Sequence, residues 1–172
     1  MKKTKILHWL IATFLFIFAW ASYAYAQDGA LRNRGEPLES VTTAAQPNVT
    51  ALQALADSGY ATIIDLRRPE EDRGFEEKIE VERLGMSYVS IPVDGAGGIT
   101  YENAELLNQV LGRTEGPVLV HCGSGNRAGA LLSLQQKLNG VDNETALAVG
   151  RAGSLTSLES VVIERLEEGP PR

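Results

Sequence analysis

Three short runs rich in β-branched and aliphatic residues, at 61–66, 87–93 and 117–121, are separated by stretches of helical periodicity. Strands that are apolar without alternation are buried on both faces. Strands joined through a helix pair in parallel, because a tight turn can only reverse the chain. The expected fold is therefore α/β, with a mainly parallel central sheet flanked by helices. Asn48 can cap a helix through Leu52 and Leu55 that stops at Gly59, and Thr100 can cap another through Leu106, Leu107 and Leu111. A helix through Ile79, Val81 and Leu84 lies between them, and helical stretches around 131–138, 144–149 and 155–166 follow the last strand. Residues 27–47 mix Gly, Pro, Asn and Arg without a period and are expected to be an irregular lead-in. That leaves 48–172 as the domain.

The first 26 residues have a different character. Lys2, Lys3 and Lys5 precede an apolar run from about Trp9 to Ala24, which ends in the small-residue triplet Ala24-Tyr25-Ala26. This is the pattern of a secretory signal peptide cleaved after Ala26. An uncleaved anchor is the alternative, since the run approaches the roughly 17 residues that can cross a bilayer. Cleavage would leave a periplasmic or secreted protein without stable membrane association.

Cleavage also leaves thirteen Lys and Arg against 22 Asp and Glu, a net charge of −9. A surface of that sign repels nucleic acid, so any bound anion needs a local positive site. The single cysteine excludes an internal disulfide, and His121 is the one histidine beyond the signal. One His and one Cys are too few for a zinc site of that type. No organic cofactor motif is present, so none is expected.

The third strand runs directly into Cys122-Gly123-Ser124-Gly125-Asn126-Arg127, and a helix follows. A strand, glycine loop and helix in that order aim several backbone N–H groups at one point, where they favour an anion. Gly123 and Gly125 let the loop curl closely around it. Cys122 is then the candidate nucleophile, because the loop amides and Arg127 stabilise the thiolate that attacks. Arg127 supplies a planar fork that can grip two oxygens of one phosphoryl or sulfuryl group. Gly123, Ser124, Gly125 and Asn126 complete the candidate binding loop.

The stretch 121–129, His-Cys-Gly-Ser-Gly-Asn-Arg-Ala-Gly, resembles the signature loop of the protein tyrosine and dual-specificity phosphatase superfamily. It is more similar still to the bacterial phosphatase-like domains associated with β-lactamase hydrolase-like proteins, and the resemblance extends over about 48–166. It implies a phosphatase that hydrolyses phosphomonoesters, of a protein or a small molecule, through a cysteinyl-phosphate. It also implies a general acid, and Asp94 is the candidate, at the end of the second strand and before a glycine-rich loop; an ordinary Asp-Gly turn is the other reading. Two departures stand out. Four residues separate Cys122 from Arg127 where the superfamily has five, and Ala128 stands where many members carry a hydroxyl, for which Ser124 could substitute.

Supporting roles fall to His121, as a partner of the loop backbone or a buried structural histidine, and to Asp65, as an orienting group or the cap of its own turn. Glu70, Glu71 and Asp72, and the pair Glu76 and Glu77, are expected to be solvated faces. Two other functions fit the residues. A rhodanese-type sulfurtransferase would use Cys122 as a persulfide and suits the four-residue spacing, and a silent module would hold phosphate without turnover.

Overall fold

The computed structural model describes residues 31–171; the expected signal sequence and its expected cleavage after Ala26 lie outside the described residues. Five strands form one sheet: β1 (Gly35–Leu38), β2 (Val41–Ala44), β3 (Thr62–Asp65), β4 (Ser87–Ser90) and β5 (Val118–His121). Their order is β1-β2-β5-β3-β4. All pairings are parallel except the antiparallel β1 and β2. Six helices lie among the described residues: α1 (Val49–Asp57), α2 (Glu77–Arg83), α3 (Tyr101–Leu111), α4 (Asn126–Leu138), α5 (Asn143–Ala152) and α6 (Glu159–Glu168). The expected α/β class, central parallel sheet and flanking helices are all present.

The lead-in expected over 27–47 is corrected in its described part, which supplies a hairpin. Pro37 cannot donate to a ladder, so β1 is tolerable only as an edge strand, which is its place. β2, with the sequence Val-Thr-Thr-Ala, is buried along its length between β1 and the central β5. Short threonine-rich strands carry little hydrophobic pattern, which is why neither strand stands out in the sequence.

Helix starts follow the capping chemistry. Asn48 Oδ1 accepts from Ala51 N at 2.8 Å, Thr100 Oγ1 from Asn103 N at 3.3 Å, and Asp142 Oδ1 from Thr145 N at 2.9 Å. α4 packs against α3, α5 and α6 on one side of the sheet. Its crossing with α5 is close enough that a Cβ on Gly129 would lie 2.5 Å from the carbonyl oxygens of Gly150 and Gly153.

Side chains alternate across a sheet. Ile64, Leu66, Val118, Val120 and Cys122 join the core with Leu131, Leu134 and Val162 on the α4 side. Asp65 and His121 point the other way, toward Glu77 of α2.

Candidate active site

β5 is the middle strand and ends at His121, so Cys122 leaves the sheet at its centre, on the carboxyl edge where α/β folds gather ligands. The ladder continues past the strand ends, with Leu66 N donating to His121 O at 2.9 Å and Val93 N to Leu66 O at 3.0 Å. Three connections therefore meet there: 66–76, 91–100 and the cysteine loop.

Gly125 turns the loop into α4 with φ 92°, in the left-handed region. Its N–H donates to Cys122 Sγ at 3.1 Å, so a backbone dipole already faces the sulfur. The amides of Ser124, Asn126 and Arg127 have no acceptor among the described residues, as expected of a loop and helix start built around an anion. Gly123 and Ser124 are exposed while Cys122 is buried, which places the sulfur on the floor of an open cradle.

The two glycines differ in necessity. A Cβ on Gly125 would sit 3.0 Å from Ser154 Cβ in a conformation that side chains rarely adopt, whereas at Gly123 it would meet Arg127 and Glu71 at ordinary contact distances. Gly125→Ala should therefore cost about 1–3 kcal/mol and lower turnover by moving the amide off the sulfur. Gly123→Ala should keep the parent melting temperature; equal melting of the two variants would contradict this assignment.

Arg127 points inward, with 14% of its side chain exposed. Its Nη1 and Nη2 donate to Glu71 Oε1 and Oε2, each at 2.6 Å, and Nη1 also donates to Val93 O at 3.0 Å. These Arg127 hydrogen bonds hold the Glu71 carboxyl down at about 2, and Glu71 with the neighbouring sulfur raises the Arg127 guanidinium further. Glu71 is thus not part of a solvated face. Nothing in an acidic run separates the residue that turns inward from its neighbours.

Asn126 faces away from the cradle. Its Nδ2 donates to Ser157 Oγ at 2.8 Å and its Oδ1 accepts from Thr156 N at 2.8 Å, so the side chain fixes the turn before α6. Ala128, in the first turn of α4, is buried, leaving Ser124 as the exposed hydroxyl of the loop. Asp94 lies at the rim, 77% exposed, with Oδ1 3.0 Å from Arg68 Nη1. It follows Val93, whose carbonyl Arg127 holds, so the candidate acid and the anion grip share one connection.

Asp65 and His121 belong to a buried polar cluster behind the sheet. Asp65 Oδ1 accepts from the backbone and Nε of Arg67, both at 2.9 Å, and Oδ2 accepts from Arg73 Nε at 3.1 Å and Tyr88 Oη at 2.8 Å. Burial pulls the Asp65 carboxyl upward, but the Arg67 hydrogen bonds and the neighbouring positive charge together outweigh it and hold the group at about 2. Burial and the Asp65 charge push Tyr88 up to about 12.

Glu77, expected on a solvated face, is instead fully buried and paired with Arg67 Nη2. His121 Nε2 lies 2.9 Å from Glu77 Oε1, and neither ring nitrogen makes a well-directed hydrogen bond among the described residues. The ring does not reach the loop backbone, because alternation sends it to the face opposite Cys122. Asp65, Glu77 and His121 are close enough together to suggest a cation, and the Arg67 guanidinium already sits between the two carboxylates as that cation. The cluster's connection to the site is the loop it fastens. Arg73 donates to the carbonyls of Arg67, Arg68, Pro69 and Glu71 and to Asp65, strapping down the segment that carries Glu71.

The family described as "DSP-PTPase phosphatase fused to NAD+ Kinase" matches residues 18–164. A beta-lactamase hydrolase-like protein of Xylella fastidiosa is 33% identical over 119 residues, 66% of this chain. The match takes in 27% of that protein, so the chain spans about a quarter of its relative's length. Among solved structures, a protein of Neisseria meningitidis provisionally described as a phosphatase superposes with TM-score 0.68 at 23% identity, covering 79% of this chain and 97% of that one. A similarly described protein of Shewanella putrefaciens gives 0.67 at 20% identity, covering 85% and 99%. At these identities the superpositions speak for the fold.

Proposed function

This chain belongs to the DSP-PTPase phosphatase family represented by phosphatases fused to NAD+ kinase, and from that premise we propose that it hydrolyses phosphomonoesters through a phosphorylated Cys122. The sulfur attacks phosphorus, the ester P–O bond breaks, and Asp94 gives its proton to the departing oxygen. Water then attacks the cysteinyl-phosphate while Asp94 takes a proton back, releasing inorganic phosphate and the thiolate. Arg127 and the unengaged loop amides bear the charge on the transferring group, which is where most of the rate enhancement arises.

The observation that carries this reading is the Gly125 amide on the Cys122 sulfur at 3.1 Å, in a loop whose neighbouring amides have no acceptor among the described residues. The substrate class is an exposed phosphomonoester, because the cradle opens to solvent at Gly123 and Ser124. The signal-like N-terminus supports a location outside the cytoplasm, to be checked by fractionating cells that express the full chain.

The direct test is a paired assay of the purified protein, with an aryl phosphate and with thiosulfate plus cyanide. Phosphate release is expected. The four-residue spacing favours the sulfurtransferase alternative, and thiocyanate formation without phosphate release would transfer the assignment to it. Asp94→Asn is expected to slow hydrolysis of an alkyl phosphate about 100-fold or more and that of a nitrophenyl phosphate far less, since only the poor leaving group needs the proton. Equal small effects on both substrates would remove Asp94 from the mechanism.

A further inference from the structure

Resting on the Cys122 chemistry proposed above, we infer that Asn33 is a positioning residue that holds the Ser124–Gly125 peptide in the orientation that serves the sulfur. In a trans peptide the C=O of one residue and the N–H of the next point in opposite directions. Gly125 N donates to Cys122 Sγ at 3.1 Å, and on the far side of the same peptide Ser124 O accepts from Asn33 Nδ2 at 2.9 Å. Glycine takes φ of either sign at similar cost, so Gly125, at φ 92°, does not choose this orientation by itself. A flipped peptide would turn Ser124 O toward the sulfur, where a carbonyl repels both a thiolate and a bound anion. Asn33 selects against that state, since its amide meets the carbonyl only while the N–H faces the sulfur. A donor on the carbonyl also polarises the N–H across the peptide.

Asn33 is exposed, so its grip rests on a fixed backbone and not on burial. It has φ 52° and Ser154 has φ 70°, two of the three residues other than glycine in the left-handed region among the described residues. Such conformations cost energy and gather at functional sites where the surroundings hold them. Here the two meet, with Ser154 Oγ donating to Asn33 O at 2.7 Å. Arg32 O, one residue earlier, accepts from Ala45 N at 2.8 Å, which fastens the segment to the end of β2. Asn126 Oδ1 accepts from Thr156 N at 2.8 Å and so fixes the connection that carries Ser154. The segment before β1 thus closes a ring of hydrogen bonds around 124–126, the part of the loop that aims its dipole at the sulfur.

Two variants separate the donor from the backbone. Asn33→Gly keeps the left-handed conformation and removes the side chain. Asn33→Asp keeps the shape and the same backbone tolerance but brings only acceptors to the Ser124 carbonyl. Each is compared with the parent by the rate of Cys122 alkylation with iodoacetamide at neutral pH, by melting temperature and by kcat on a nitrophenyl phosphate. Alkylation reads the thiolate and needs no phosphatase activity. It should slow about fivefold in both variants, the worth of roughly one hydrogen bond, and kcat should fall at least as far. Faster alkylation with a lowered melting temperature would show that Asn33 only keeps the loop folded over the sulfur, and overturns the inference. Alkylation at the parent rate in both variants overturns it whatever happens to kcat. If the parent releases no phosphate but alkylation slows in both variants, the hydrolytic reading fails and the positioning role stands.

Discussion

Replacing Cys122 by serine is expected to abolish phosphate release, with a loss of about five orders of magnitude or more, while the protein melts close to the parent temperature. Losses of that size follow when a covalent nucleophile is removed from an otherwise assembled site. Serine is close to cysteine in shape, so the Gly125 amide and α4 keep their places, but an alcohol is not ionised at neutral pH as a thiol can be. Arg127→Ala should lose about 1,000-fold or more, because it removes the side-chain cation that faces the sulfur. Arg127→Lys should not restore it, since an ammonium cannot hold Glu71 and a phosphoryl group by two separate edges. Single-turnover hydrolysis of an aryl phosphate measures all three. Substantial residual turnover by Cys122→Ser would show that the sulfur forms no intermediate.

The largest stability effect is expected behind the sheet. Arg67→Met keeps most of the side-chain volume but removes the cation between Asp65 and Glu77, both fully buried. Breaking a buried pair in this way costs about 3–5 kcal/mol, because a charge is left without its partner. For a domain of this size that lowers the melting temperature by about 10–15 °C. Adding Glu77→Gln should recover part of the loss, and a double variant no more stable than the single would refute the pairing.

The same cluster sets a pH dependence. Asp65 is held at about 2, below its ordinary value. Its contribution to stability is therefore complete above the usual carboxylate range and is lost as the pH falls toward about 2. Acid unfolding of the parent should begin as that range is crossed, and Asp65→Asn should flatten this part of the curve.

The central strands, their parallel pairing and the cysteine loop were legible because each rests on local chemistry: β-branched runs, glycines before a helix, and a cysteine and an arginine with four residues between them. The Asn48 and Thr100 caps were legible for the same reason. The hairpin was not, because Gly35 to Ala44 contains a proline and three hydroxyl residues and takes its strand character from the neighbour it pairs with. Glu71 and Glu77 were misread because an acidic residue looks the same in sequence whether it meets water or a guanidinium. Their partners, Arg127 and Arg67, lie 56 and 10 residues away. Of the two readings of His121 the buried one holds, for a geometric reason: adjacency to Cys122 in the chain puts it on the opposite face.

That alternation separates two adjacent residues into different chemical territories. The sheet acts as a partition one backbone thick, with the reacting sulfur on one side and a closed reservoir of charge on the other. Substitutions in the reservoir can make the protein hardier or more fragile without altering which phosphate esters it takes. Substitution of the sulfur itself can end the chemistry and leave the thermal tolerance nearly where it was.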